Sequence, residues 1–126
     1  MFKYGKRSLM NLSECHPDLQ LVFYEVIKHR DCSILDGHRG EPEQNYLHKI
    51  GRSHLVWPNS THNKLPSLGI DAVPFPIVWT DIQRFKEFCW FVKGVAAGLG
   101  IPLISGGLDW IRFKDYAHFQ LSGSPR

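Results

Sequence analysis

Leu19, Val22, Phe23, Val26 and Ile27 recur every three to four positions, which is the period of one helix face. Pro17 followed by Asp18 suits a first turn, where the N–H that proline lacks would have no helical partner. The spacing predicts an amphipathic helix over 17–29. A longer helix is predicted over 80–99, with Phe85, Phe88, Cys89, Val92, Val95, Ala96 and Leu99 on one broad face. Thr80 and Gln83 read as its capping box, and Gly100 and Pro102 end it. A short helix over 41–50 stops at Gly51. Short apolar runs at 32–35, 68–73, 103–104 and 117–121 read as strands, the first running into a turn at Asp36 and Gly37 that presents His38 and Arg39. Gly106 and Gly107 make a turn, and 53–67, rich in proline and asparagine, reads as loop. No internal repeat or linker is visible. The order of elements predicts an α+β fold with helices packed on a small antiparallel sheet.

Composition bounds this picture. The chain has 126 residues, and 1–126 reads as one domain without a second module. With 43% hydrophobic and 21% charged residues it lies in the globular range and can bury a core. Lys and Arg number 15 against 12 Asp and Glu, a net charge of +3. Apart from Lys3, Lys6 and Arg7 there is no basic cluster, so nucleic acid is not expected as a partner. Cys15, Cys32 and Cys89 are far apart and form no CxxC, which reads as reduced core thiols made in the cytoplasm. No apolar stretch follows the basic start, so no secretory signal is expected. The apolar run 72–79 is broken by Pro74 and Pro76, so no membrane insertion is expected. The chain is expected to act as a monomer.

Seven histidines raise the question of chemistry. His16 and His29 sit at helix ends, and His48 and His54 flank the short helix. A structural or solvated role suits all four, and His38 is open either way. His62 in a polar loop, Asp71 within Ile70-Asp71-Ala72-Val73, and His118 opening the last strand are different. A carboxylate among apolar neighbours is costly unless paired, hydrogen-bonded or metal-bound. Two imidazoles and a carboxylate form a catalytic zinc set that leaves a fourth position for water. Spacing alone leaves two readings open, a metal site or a hydrogen-bonded Asp71 beside two ordinary histidines.

The string Ser60-Thr61-His62-Asn63-Lys64-Leu65-Pro66-Ser67-Leu68-Gly69-Ile70-Asp71, with Phe113-Lys114-Asp115-Tyr116-Ala117-His118-Phe119-Gln120-Leu121, resembles the paired zinc motifs of the M15 peptidases. Further likeness lies in Lys3 to Ser8, His16 to Leu19, Asp36-Gly37-His38-Arg39 with Gln44, and Gly106 to Trp110. The resemblance implies the single-domain zinc fold shared with hedgehog domains. It implies one Zn²⁺ held by His62, Asp71 and His118, with Asp115 as catalytic carboxylate and Arg39 as the charge that stabilises the transition state. Ser60 and Gln44 are implied as substrate contacts or supports of the metal ligands. The implied activity is hydrolysis of peptidoglycan stem peptides, at the L-alanyl-D-glutamate bond, by a bacteriophage endolysin that reaches the wall after release from the host cytoplasm.

The first motif departs from the common form, because Asp71 follows His62 by nine positions where seven is usual, with Pro66 and Ser67 in the longer loop. Asp115 stands where the dipeptidase branch has glutamate, which favours the endopeptidase branch. The alternatives are a D-alanyl-D-alanine carboxypeptidase or dipeptidase, and a zinc-containing binding domain without activity, against which the presence of both Asp115 and Arg39 argues. Asp115 and His118 are three apart, and in a strand an odd separation puts side chains on opposite faces. To share a site with His118, Asp115 must lie in a bend before the strand.

Overall fold

A computed structural model describes residues 1–123. Four helices and four strands follow in the order α1 (Lys6–Ser13), α2 (Pro17–Val26), β1 (Cys32–Asp36), α3 (Glu41–Lys49), β2 (Gly69–Pro74), α4 (Ile82–Gly98), β3 (Leu103–Ser105) and β4 (His118–Leu121). A single 3₁₀ turn, Thr61–Asn63, interrupts the long loop before β2. The strands form one antiparallel sheet in the order β1-β2-β4-β3.

Alternation along the central strands divides the work of the sheet. Ile34, Ile70, Ala72 and Phe119 point into the core and are essentially inaccessible. There Phe119 meets Phe23 of α2 edge-to-face at 5.6 Å and Phe88 of α4 at 6.3 Å. On the opposite face, Asp71 is paired in register with His118 of β4 and with Asp36 of β1. Cross-strand partners in such a pair present their side chains to the same side, so this register builds a polar row across three strands.

Helix α1 has no counterpart in the sequence reading. Leu9 and Met10 are exposed and only Ser8 and Leu12 are buried, so no apolar stripe marks it. Two polar side chains dock it instead. Ser8 Oγ accepts from the Ile34 amide at 3.0 Å, and Asn11 Nδ2 donates to the Ile34 carbonyl at 2.8 Å, closing the otherwise open edge of β1. Helix α2 ends at Val26, three residues before the predicted stop, in a turn through Ile27. The capping box predicted at Thr80 and Gln83 is not formed. Asp81 is the N-cap and accepts from the Arg84 amide at 3.1 Å, because its carboxylate suits the positive end of the helix and lies one residue nearer to it. Cys15, Cys32 and Cys89 are free and buried, and burial raises all three thiols, to about 12 for Cys15 and about 11 for Cys32.

Candidate metal centre and active site

The site is assembled on the polar face of β2 and β4 and closed by the loop before β2. Ser60 caps the 3₁₀ turn, its Oγ accepting from the His62 amide at 3.2 Å, while Asn63 Oδ1 accepts from the Ser60 amide at 3.0 Å. This reciprocal cap turns the His62 ring inward, where it is 2% exposed. His62 Nδ1 lies 2.7 Å from the Gly37 carbonyl, an acceptor, so Nδ1 carries the proton and Nε2 has a free lone pair. His118 is set the opposite way. Its Nε2 donates to Gln120 Oε1 at 2.9 Å, which leaves Nδ1 as the free nitrogen. The ring of Trp110 stacks on it at 5.0 Å.

Three lone-pair atoms then converge. His62 Nε2, His118 Nδ1 and Asp71 Oδ1 form a triangle with every side 3.2 Å. Ligands about 2.0–2.1 Å from a tetrahedral zinc ion stand roughly 3.3–3.4 Å apart, so the triangle has the size of three corners of such a shell. Three acceptors facing one another repel unless a cation or a shared proton lies between them, and the two outer nitrogens are held by Gly37 and Gln120 in the tautomers a metal requires. The donor set therefore fits a zinc ion. Burial alone would raise Asp71, but the imidazoles beside it hold its carboxyl well below the usual range. Burial alone would lower His62, yet Asp71 carries it above its ordinary value.

Around the triangle, the cavity is lined by Arg39, Ser60, Asp115 and Trp110 among others. Asp115 lies ahead of a turn at Tyr116 and Ala117, outside β4, where its Oδ1 accepts from the Ala117 amide at 3.3 Å. The bend that its spacing demands is present. Its segment rests directly on Gly106 and Gly107: a Cβ at Gly106 would stand 2.6 Å from the Asp115 carbonyl, and one at Gly107 2.4 Å from the Tyr116 ring. The residue is exposed at the surface, but surrounding protein crowds its carboxyl. That desolvation, then the negative charge of Asp71, raises its pKa above the ordinary value.

Arg39 is buried, with Nε and Nη2 donating to Asp36 Oδ2 at 2.9 and 2.6 Å and Nη1 donating to Gln44 Oε1 at 2.9 Å. Its Nη2 stands 3.7 Å from Asp71 Oδ2. Gln44 is wholly inaccessible and stands behind Arg39, away from the cavity. Its Oε1 also accepts from Asn63 Nδ2, and its Nε2 donates to Ser53 Oγ and the Leu55 carbonyl. His16 caps α2 through Nδ1, and His29 and His54 lie outside the triangle.

Asp36, Gly37 and Gln120 stand in the strings that carry the resemblance, but no role in the site is legible for them there. Gln120 was within reach, since it lies two residues from His118 on the same side of a strand. The Gly37 carbonyl carries no side-chain signal at all. Asp36 is legible in the sequence as a turn residue before Arg39, and its place beside Asp71 comes from the register.

An α+β fold whose sheet carries a His-Asp-His cluster able to hold a metal ion, with a carboxylate and a guanidinium beside it, has the layout of a metal-dependent hydrolase. The chain belongs to the phage L-alanyl-D-glutamate peptidase family, whose model matches residues 1–121. Among solved structures it is similar to the Serratia marcescens L-Ala D-Glu endopeptidase ChiX, with a TM-score of 0.80 and 28% identity over 95% of this chain and 90% of that one. A search of curated proteins found no match. The protein is thus a peptidoglycan endopeptidase, with the small α+β fold expected from the order of its elements.

Proposed function

We propose that the protein hydrolyses the bond between L-alanine and D-glutamate in peptidoglycan stem peptides, as a phage endolysin, with one zinc ion held by His62, Asp71 and His118. The observation that carries this reading is the 3.2 Å triangle of lone pairs in a chain of a family described by that bond. When bound in such a site, zinc supplies a Lewis acid that brings the pKa of water from about 15.7 toward 7 and polarises a carbonyl.

The protein's own residues do the rest. Asp115 accepts the proton of the attacking water on its carboxylate and returns it to the departing amine, acting first as base and then as acid. Arg39 faces the charge that develops on the carbonyl oxygen. Three of its five N–H groups are spent on Asp36 and Gln44, and those bonds fix the plane in which the other two point. A donor preorganised in this way lowers the barrier by about 3–4 kcal/mol. Ser60, at the cavity wall, orients the substrate as well as His62, and Gln44 is a positioning residue that acts through Arg39.

The test is chemical labelling of the amino groups released when purified peptidoglycan is digested. New amino termini on D-glutamate are expected. Release of free D-alanine with no new D-glutamate termini would assign the D-alanyl-D-alanine reading instead.

A further inference from the structure

Two guanidinium groups line the cavity over the His62, Asp71 and His118 triangle, and they stand in opposite electrical conditions. Arg39 is held in place by Asp36, whose Oδ2 accepts from it twice, and its two remaining N–H groups are assigned above to the carbonyl oxygen. Arg52 is exposed, and among the described residues no carboxylate lies within ion-pair distance of it. The wall also carries two acids, Asp71 and Asp115, so an anionic group entering the cavity needs a cation that is not already committed.

The backbone that presents Arg52 is held from three directions. The amides of Arg52 and Ser53 both donate to the Leu47 carbonyl, at 2.9 and 3.1 Å. The buried amide of Gln44 donates to Ser53 Oγ at 3.0 Å and to the Leu55 carbonyl at 2.7 Å. From the far side, His54 stacks on Phe113 at 4.7 Å, tying this rim to the loop that carries Asp115. A cation on a fixed rim loses less entropy on pairing than one on a free loop.

The chemistry of the substrate class names the partner. Glutamate enters a peptide through its amino group and one of its two carboxyls, which leaves the second as a carboxylate unless it is capped as an amide. We propose that Arg52 is a specificity-determining residue that pairs with this second carboxylate of the glutamyl residue next to the cut bond. The inference rests on the bond assigned above. It distinguishes free-acid from amidated stem peptides by providing a planar, two-pronged cation that a carboxylate matches and a carboxamide does not.

Two synthetic L-alanyl-D-glutamyl peptides, identical except that the second carboxyl is free in one and a carboxamide in the other, test this with the metal-loaded enzyme. The wild type is expected to favour the free acid. In Arg52→Gln that preference falls by about tenfold in kcat/KM, the change residing in KM, and Arg52→Lys recovers part of it. Calorimetric binding of the two D-glutamyl product peptides is expected to show the same ranking without turnover. An equal loss on both peptides in Arg52→Gln, or a wild-type preference that survives the substitution, overturns the role of Arg52. Failure of the wild type to cut either peptide would overturn the bond assignment itself and this inference with it.

Discussion

Gly69 shows how closely the centre is packed at the scale of single residues. A Cβ there would stand 2.3 Å from Thr61 Oγ1 and 3.0 Å from His118 Cε1, so an added methyl must push either the 3₁₀ turn or the His118 ring aside. Gly69→Ala is expected to cost about 1–3 kcal/mol and to weaken metal uptake, measured by thermal unfolding and metal analysis. Gly94→Ala, in open space within α4, makes the contrast and is expected to stabilise by up to about 1 kcal/mol. Asp115 makes a different prediction. It is no member of the lone-pair triangle, so Asp115→Asn is expected to keep the fold and the metal while kcat falls about 10²- to 10⁴-fold. Loss of metal together with activity in that variant would make Asp115 a ligand or a support of one. The sequence marks Asp71, because a carboxylate between Ile70 and Ala72 needs a reason. It marks Asp115 only through the family resemblance, since an aspartate before a turn is otherwise commonplace.

At the scale of elements, legibility followed periodicity. Helices α2 and α4 were visible because their apolar stripes are broad. Helix α1 was not, because it is docked by Ser8 and Asn11 rather than by a stripe. The register that sets Asp36, Asp71 and His118 in one row joins residues far apart in the chain, and no local pattern carries it. The segment from β3 to β4 is secured by polar contacts of the same quiet kind. Asp109 Oδ2 accepts from the Ser105 amide at 2.7 Å and from Lys93 Nζ at 2.6 Å. Burial works to raise the Asp109 carboxyl, but Lys93 and that amide bring it below its ordinary value. A carboxyl depressed by folding stabilises the folded state above its unfolded pKa, and the contribution vanishes as pH falls through the folded one. Asp109→Asn is therefore expected to lower Tm near neutral pH, with the difference from wild type shrinking below about pH 4. A gap that stays constant down to pH 2 would assign the effect to something other than this ionised carboxylate.

At the scale of the whole molecule, one sheet serves two solvents. Its core face is apolar and holds Phe119 between two helices, and its other face holds the polar row in a cavity open to substrate. Alternation in β4 makes this possible, with His118 and Gln120 on one side and Phe119 on the other. The fold class was readable because it depends on these repeating patterns. The support of the centre was not, because backbone carbonyls such as Gly37 and buried polar relays such as Gln44 leave no mark in residue spacing. The proposed mechanism stands on the His62, Asp71 and His118 triangle holding the metal on which hydrolysis depends. The most direct measurement is mass spectrometry of fragments released from purified peptidoglycan by the native protein, by the protein stripped with a chelator, and by the stripped protein after zinc is returned. Cuts between L-alanine and D-glutamate that disappear on stripping and return with zinc are the predicted result. Undiminished cutting by protein shown to be free of metal would contradict it.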